Sequence, residues 1–314
     1  MSGKIIKGRV IKSTGSWYRV KLNNSSILEC RIKGNLRLKG VRSTNPVAVG
    51  DIVHIEYENN TDNGIIVDIE DRKNFIVRKS INLSKKLHIL AANIDCVFII
   101  ITIKNPRTPY GFIDRMLVTA EAYGIPASII FNKRDTWNDE DQTLANEIKN
   151  VYQAAGYNTY SITALEKNDT EQFKSLLKNK ITLLIGHSGT GKSTLINSLN
   201  PDLNIKTSEI STVHLQGRHT TTFAEMHPLD VNTFIIDSPG IREFGLINMD
   251  KYELSHYFPE MRDLLNQCRF DNCLHLQEPG CAVKQAVKEN KIPFTRYRSY
   301  ISMIEEETEV SYED

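Results

Sequence analysis

The stretch "LLIGHSGTGKST", Leu183 to Thr194, decides the fold, because it joins an apolar strand to a helix through a glycine-rich loop. Residues 186–193, "GHSGTGKS", fit G-x-x-x-x-G-K-[ST], between the strand "ITLLI" and the helical "TLINSLN". The pattern predicts a loop whose backbone N–H groups hold phosphates, with Lys192 neutralising the β and γ phosphates and Ser193 binding Mg²⁺. The candidate nucleotide-binding residues of this loop are Gly186, His187, Ser188, Gly189, Thr190, Gly191, Lys192, Ser193 and Thr194.

Two further segments supply the remaining parts of a nucleotide site. In "FIIDSPG", Asp237 ends an apolar strand, where an acid can serve Mg²⁺, and Gly240 can donate its backbone N–H to a γ-phosphate. In "IIFNKRD", which contains Asn132, Lys133 and Asp135, a carboxylate after a buried strand can accept two hydrogen bonds from guanine. Adenine lacks that pair of donors, so the segment predicts a preference for GTP over ATP.

These segments follow one another in an unusual order. Together the three segments resemble the GTPase superfamily, but here the base-reading segment precedes the phosphate loop and Asp237 comes last, so the resemblance implies a circularly permuted domain. A sheet keeps its site under permutation, because the loops still emerge from the same strand ends. In most GTPases the loop that supports the guanine ring reads Ser-Ala, and the nearest match in this sequence is "SITAL", in which Thr163 and Ala164 are the candidate contacts.

Apolar runs alternate with helical stretches from about residue 80 to the end of "DSPG". The runs are "IDCVFIIITI", with Cys96 as a core thiol, "PASIIFNK", "NTYSIT", "ITLLIGHS" and "NTFIIDSPG". Near-continuous apolar strands separated by helices predict a parallel sheet covered on both faces. Beyond them, "DKYELSHYFPEMRDLL" and "KQAVKENKIPFTRYRSYISMIEEE" predict a third, mainly helical unit.

The first 71 residues contain five short runs typical of strands, which are "KGRVIKS", "WYRVKL", "ILECRI", "DIVHIEY" and "GIIVDIE". Five strands predict a small barrel, with an oligonucleotide-binding barrel favoured and an SH3-like barrel as the alternative. Residues 1–42 carry eleven Lys or Arg against one acid, which suggests either a nucleic-acid partner or a solvated surface balanced by the acidic residues 43–71. An exposed aromatic, Trp17 or Tyr18, is a candidate platform for bases, with burial of Trp17 in the core as the alternative.

Three of the five cysteines lie close to one histidine near the C-terminus. Cys268, Cys273, His275 and Cys281 are spaced C-x4-C-x-H-x5-C, which predicts one closed, structural zinc site. Three buried thiols with an unrelated histidine are the alternative. A group of basic residues follows Cys281: Lys284, Lys288, Lys291, Arg296 and Arg298. They either contact RNA phosphates or form a solvated face.

The bulk properties bound the class of protein. The 314 residues are 40% hydrophobic and 25% charged, which is ordinary for a soluble globular chain of two or three domains. The longest apolar run, Val97 to Ile101, is too short to span a bilayer, and the N-terminus does not resemble a secretory signal, so we expect a cytoplasmic protein. The predicted domains are 1–71, 72–245 and 246–314, the last ending in an acidic tail.

The barrel, the permuted nucleotide domain and the zinc unit, in this order, resemble the ribosome small-subunit-dependent GTPase A family of bacterial ribosome-assembly factors. The resemblance covers nearly the whole chain. It implies a multidomain fold with an N-terminal five-stranded oligonucleotide-binding barrel, a central α/β circularly permuted GTPase domain and a C-terminal, mainly helical zinc-binding domain. It also implies GTP hydrolysis with Mg²⁺, binding to the small ribosomal subunit and its 16S rRNA late in maturation, and stimulation by that particle. A monomer is the simplest expectation for a clamp on so large a partner.

The family's first switch segment resembles "GRHTTT", present here as residues 217–222. One of Thr220, Thr221 and Thr222 is expected to complete the magnesium shell, with Thr221 as the candidate. Many GTPases place a water-orienting glutamine after D-x-x-G, but this chain has Ile241, which cannot hydrogen-bond to water. By similarity to the family, His219 is the candidate for that role.

The predicted catalytic residues are therefore His219, Lys192 and Asp237. Two other functions remain open from the residues themselves. A phosphate-loop kinase or ATPase is disfavoured by Asn132, Lys133 and Asp135. A non-catalytic RNA-binding adaptor with GTP as a structural ligand is kept open by Ile241.

Overall fold

The computed structural model describes residues 4–33, 46–57, 63–79, 87–205, 224–237 and 250–310. The N-terminal strands are β1 (Lys4–Ser13), β2 (Tyr18–Leu22), β3 (Ile27–Ile32), β4 (Ile52–Tyr57) and β5 (Asn63–Ile69). They form a barrel in the order β1-β2-β3-β5-β4, which closes through pairing of β4 with β1. Only β3 and β5 pair in parallel. The predicted five-stranded barrel is confirmed, and this Greek-key order is that of an oligonucleotide-binding barrel.

The two aromatic residues of the barrel play different roles. Tyr18 is only 1% exposed and packs with Val10, Val20 and Ile55 in the barrel core, so the suggestion that it is exposed is wrong. Trp17 is half-buried, and the Arg31 guanidinium lies 3.9 Å from the centre of its ring. Trp17 immediately precedes β2, and neighbouring residues of an extended chain point to opposite faces, so Tyr18 faces the core while Trp17 faces away from it.

The central sheet has the order β10-β9-β8-β11-β13-β12. Its first five strands run parallel, as predicted, and β12 pairs antiparallel with β13 on one side and with β1 of the barrel on the other. A hairpin of β6 and β7 precedes the sheet, and neither the hairpin nor β12 was predicted. These strands are β6 (Phe75–Lys79), β7 (Leu87–Ala92), β8 (Cys96–Ile101), β9 (Ala127–Phe131), β10 (Asn158–Ser161), β11 (Ile181–Ile185), β12 (Glu225–Pro228) and β13 (Phe234–Asp237).

Helices cover both faces of the central sheet, as the near-complete burial of β8 and β11 requires. They are α1 (Tyr110–Ala122), α2 (Asp139–Ala154), α3 (Lys167–Leu177) and α4 (Lys192–Leu199). The start of α2 shows why such a helix begins where it does. The Asn138 side chain accepts from the backbone N–H of Asp141, whose carboxylate accepts in return from Asn138 N–H. Cys96, predicted as a core thiol, is half-buried and lies 3.4 Å from the Thr182 hydroxyl.

The C-terminal unit consists of α5 (Pro259–Arg262), α6 (Ala282–Lys288) and α7 (Phe294–Val310), with short 3-10 turns at Leu254–Tyr257 and Leu265–Gln267. The second predicted helical segment is divided into α6 and α7. Asn290 at φ 57° and Pro293 explain the break, because neither suits a helix interior. The unit is mainly helical, as predicted, although its first segment forms only short turns and one short helix.

Helix α1 joins the central sheet to the C-terminal unit through a buried ionic network. Arg296 has no exposed side-chain surface, and its guanidinium donates to Asp114 Oδ1 and to Glu260 Oε1, each at 2.7 Å. The sequence had placed Arg296 on a basic surface, which is wrong. Lys288, Lys291 and Arg298 are exposed.

The barrel also contacts the central sheet, where Lys12 pairs with Glu225 at 2.9 Å. The domain boundaries at residues 71 and 245 stay predictions. Among the described residues, no helix combines the length and apolar character needed to cross a membrane.

Candidate nucleotide site and metal centre

The phosphate loop lies between β11 and α4, as the sequence pattern requires. Two of its glycines have no substitute. Gly191 has φ of 91°, and a Cβ there would collide with Asn132 Nδ2, while a Cβ on Gly186 would lie 2.5 Å from the backbone oxygen of Ile100. The loop therefore packs tightly against the strand ends of β8 and β9, with its backbone N–H groups beside the start of α4.

The buried side chain of Asn132 joins three distant segments of the sequence. Its Nδ2 donates to the backbone oxygen of Thr190 in the phosphate loop at 2.8 Å, and its Oδ1 accepts from Ala164 N at 3.2 Å. Asn132 is only 1% exposed, so these bonds are shielded from water. The predicted base-reading segment (the base reader, residues 132–135), the phosphate loop and the guanine-supporting segment thus lie together in one site.

The other residues of the base-reading segment differ in exposure. Asp135 is exposed, so its carboxylate is accessible to a base, while Lys133 adopts φ of 61° and donates to the backbone oxygen of Asn105 at 2.7 Å. Thr163 is buried, and its N–H donates to Asp169 Oδ2 at 2.7 Å. Asn105 is a residue that sequence reasoning missed, because nothing in the pattern connects it to the base reader.

Lys192 and Asp237 form the polar centre of the site. Lys192 Nζ donates to the backbone oxygens of Gly186 at 2.5 Å and His187 at 3.0 Å. Burial lowers the pKa of Lys192, and Asp237 counteracts that effect. Burial likewise raises the pKa of Asp237, against the attraction of Lys192. Each of the two residues thus favours the charged form of the other, against the effect of burial.

Asp237 also has an oxygen suited to a cation. Its Oδ1 is buried and lacks a hydrogen-bond partner among the described residues. A buried polar atom without a partner requires an explanation, and Mg²⁺ or one of its waters supplies one. With the hydroxyl of Ser193 at the first turn of α4, this carboxylate gives the all-oxygen donor set that Mg²⁺ prefers.

A further contact of the phosphate loop comes from α1. The rings of His187 and Phe112 lie 3.8 Å apart between centres and are tilted by 33°. Sequence reasoning gave His187 no chemistry beyond its place in the loop, and no spacing pattern relates it to Phe112. The contact links the loop to the helix that carries Asp114.

Several predicted residues lie outside the described part of the chain. They are His219, Thr220, Thr221, Thr222, Gly240 and Ile241. Their roles stay predictions.

The cysteines and histidine near the C-terminus form a compact cluster. One donor atom from each of Cys268, Cys273, His275 and Cys281 lies within 4.8 Å of the other three. His275 Nδ1 is 3.3 Å from Cys281 Sγ and 3.7 Å from Cys268 Sγ. A tetrahedron with Zn–S bonds of about 2.3 Å and Zn–N bonds of about 2.0 Å has S–N edges of about 3.5 Å, so the cluster has the dimensions of a metal site.

The surrounding residues fix the backbone of this cluster. Glu278 accepts from the N–H groups of Leu274 and Leu276, each at 2.8 Å, and the Tyr297 hydroxyl donates to the backbone oxygen of His275 at 2.6 Å. Burial, together with the neighbouring Cys281 and Cys268, raises the pKa of Cys273 to about 12. A bound cation would favour the thiolates that burial disfavours. The cluster is therefore able to hold a metal ion.

Comparison with known proteins assigns the barrel and the central domain to the same family. A family model described as RsgA GTPase matches residues 69–247, and one described as RsgA N-terminal domain matches residues 7–66. A small ribosomal subunit biogenesis GTPase RsgA of Flavobacterium psychrophilum is 51% identical over 96% of this chain and 93% of its own length. The corresponding protein of Bacteroides fragilis is 50% identical over 98% of this chain and 99% of its own.

Two solved structures share the whole architecture. YjeQ from Thermotoga maritima matches with a TM-score of 0.77 and 30% identity, covering 96% of this chain and 98% of its own. YloQ, described as a circularly permuted GTPase, matches with a TM-score of 0.74 and 25% identity, covering 99% of this chain and 96% of its own. The chain therefore belongs to the RsgA GTPase family and is a GTP-hydrolysing enzyme with a circularly permuted GTPase domain.

Proposed function

We propose that this protein binds and hydrolyses GTP during late maturation of the small ribosomal subunit, and that the subunit stimulates the reaction. The observation that carries the nucleotide part is the pair of hydrogen bonds made by Asn132, which tie the base reader to the phosphate loop. The names of the relatives, small ribosomal subunit biogenesis GTPases, support the partner. The particle's RNA component, 16S rRNA, is proposed as the surface that the basic half of the barrel contacts.

The base is read by the segment that follows β9. The exposed carboxylate of Asp135 accepts from guanine N1–H and the exocyclic amine, while Lys133 lines the site with its stem. Asn132 holds the segment against the phosphate loop. Thr163 and Ala164 support the ring, since the Ala164 N–H is fixed by Asn132.

The phosphates are held by residues 186–194 with Asp237, Gly240 and Thr221 completing the site. Lys192 closes the loop through its bonds to two backbone oxygens, and phosphate oxygens replace those acceptors when GTP binds. Ser193 and Asp237 would hold Mg²⁺, which would supply positive charge beside the β and γ phosphates. Lys192 and the loop N–H groups then stabilise the charge on the transferring phosphoryl group.

The attacking water needs an orienting group, because Ile241 cannot provide one. We assign that role to His219, as a neutral imidazole that acts when the ribosomal particle is bound. Hydrolysis in the absence of the particle is then slow, and binding of the particle completes the site.

The metal ion of the C-terminal cluster is proposed to be zinc, one per chain and structural. Three thiolates and one imidazole match the preference of Zn²⁺ and leave no open position for catalysis. We further propose that the protein works as a monomer in the cytoplasm, where its partner is assembled.

Phosphate release from GTP and from ATP, each with and without purified small subunits, tests this function. We expect phosphate release from GTP and not from ATP. Small subunits should strongly increase the rate of that release, and large subunits should not. Equal use of ATP would contradict the base reader, and indifference to the small subunit would contradict the proposed partner.

A further inference from the structure

A basic cleft separates the start of α1 from α7. Its volume is about 470 Å³, and its lining includes Arg107, Tyr110, Arg115, Arg298 and Ser302. Among the described residues, neither Arg107 nor Arg298 has an acidic partner, and both are exposed. Arg115, the third cation, is held by Glu306 at 2.7 Å. The cleft therefore offers two guanidinium groups that are available to an external anion.

An aromatic ring lines the same cleft as these cations. Tyr110 is half-buried and stacks at 27° on Tyr152, with ring centres 6.5 Å apart. Tyr110, Arg107 and Arg298 line the same cleft. Burial raises the pKa of Tyr110, an effect that the two arginines oppose and that Glu147 and Asp114 reinforce. Cations beside an aromatic ring are the combination with which proteins bind single-stranded nucleic acid.

One wall of the cleft is also a wall of the nucleotide site. Arg107 belongs to the loop 102–109. In this loop Thr108 N–H donates to the backbone oxygen of Thr102 at 3.0 Å, and Thr102 N–H donates to the Thr108 hydroxyl at 3.2 Å. The same loop accepts from Lys133 Nζ through Asn105, and a Cβ on Gly189 would lie 3.2 Å from Pro106. An occupant of the cleft would thus rest on a loop that contacts both the base reader and the phosphate loop.

We propose that this cleft binds a single RNA strand, with Arg107 and Arg298 on successive backbone phosphates and Tyr110 beneath a base. A lone phosphate would fill only part of the cleft and would not use the aromatic ring. The proposal rests on the proposed function only in taking the RNA of the small subunit as the source of the strand. The two ideas are separable by experiment.

The test measures fluorescence anisotropy of a labelled single-stranded RNA of about 12 nucleotides across a series of salt concentrations. The variant is R107Q/R298Q, and the charge-matched control is K174Q/K178Q, which removes two exposed lysines beside or within α3. We expect the cleft variant to bind about tenfold more weakly than the control at about 50 mM salt, with a logarithmic salt slope shallower by about 1.4. Basal GTP hydrolysis should be the same in both variants.

Equal RNA affinity and equal salt slope in the two variants would overturn the proposal. Displacement of the RNA by inorganic phosphate at the same concentration of phosphate groups would also overturn it, because the cleft would then be a simple anion site. If small subunits do not stimulate GTP hydrolysis by the wild type, but RNA binding depends on both arginines, the proposed function is contradicted and the RNA site in the cleft is supported. If small subunits stimulate GTP hydrolysis by the wild type, but RNA binding does not depend on the two arginines, only the proposal of an RNA site in the cleft is contradicted.

Discussion

Replacing Arg296 by methionine should strongly destabilise the contact between the GTPase domain and the C-terminal unit. The guanidinium is fully buried and forms ion pairs with Asp114 of α1 and Glu260 of α5, each at 2.7 Å. It also lies 4.7 Å from the centre of the Phe258 ring. Methionine fills a similar length but leaves the carboxylate of Asp114, which has no exposed surface, without its countercharge.

The size of the loss in the free energy of unfolding depends on whether Asp114 stays charged or becomes protonated in the variant. Burial already raises the pKa of this carboxyl, and Arg296 is the main group that lowers it. Without the guanidinium, Asp114 either remains as an uncompensated buried charge, at about 3–5 kcal/mol, or takes up a proton. From an unfolded-state pKa of about 3.9, protonation at about pH 7 costs about 4 kcal/mol. We therefore expect a loss of about 3–5 kcal/mol in the free energy of unfolding.

The loss should depend on pH in a definite direction. In the variant, the folded-state pKa of Asp114 lies above its unfolded value, so its contribution to stability is full below the unfolded pKa and is lost as pH rises. The deficit relative to wild type should therefore shrink from about pH 7 to about pH 5, by up to about 2.7 kcal/mol.

Urea denaturation followed by circular dichroism measures these differences. The matched control is Arg115→Met, which removes the other α1 to α7 ion pair, to a Glu306 side chain that is 52% exposed, and should cost about 0–1 kcal/mol. The triple variant D114N/E260Q/R296M, which removes all three charges, should recover much of the stability. A loss below about 1 kcal/mol for R296M, or a larger deficit at low pH, would refute this reasoning.

Three other predictions concern the two sites. Gly191→Ala should abolish GTP binding, because the new Cβ would collide with Asn132 at a positive φ; ordinary affinity in a nucleotide titration would contradict the tight packing of the loop. Ser193→Ala should lower Mg²⁺-dependent GTP hydrolysis at least about tenfold, whereas Ser198→Ala on the same helix removes only a bond to the Thr194 backbone and should change it little; equal rates would exclude Ser193 as a magnesium ligand. Purified protein should contain about one zinc per chain, and Cys273→Ser should lose that zinc and the stability of the C-terminal unit; full stability without metal, by denaturation and metal analysis, would exclude a structural role.

The elements that follow local rules could be predicted from the sequence. The strands of the barrel and of the parallel sheet have clear apolar patterns, and the phosphate loop has a pattern that its backbone geometry demands. The cysteine spacing brought four donors together as expected. The β6 to β7 hairpin and strand β12 were missed. Strand β12 has only four residues and ends at Pro228.

Long-range contacts could not be predicted. Arg296 looks like any other basic residue of a C-terminal helix, and only the fold brings it to Asp114, 182 positions away. The link between Asn132 and Thr190 spans 58 positions, and no local rule connects Phe112 with His187. Such contacts depend on which helix packs on which strand, so they need the tertiary structure.

The most direct test of the account is a change of base specificity at Asp135. Xanthine carries a carbonyl where guanine carries the exocyclic amine, so an amide that donates should replace a carboxylate that accepts. We predict that Asp135→Asn loses hydrolysis of GTP and gains hydrolysis of xanthosine triphosphate, and that small subunits stimulate the new reaction as they stimulate the old one. Undiminished GTP hydrolysis by this variant, with no gain on xanthosine triphosphate, would contradict the claim that the three segments joined by Asn132 form one guanine-nucleotide site.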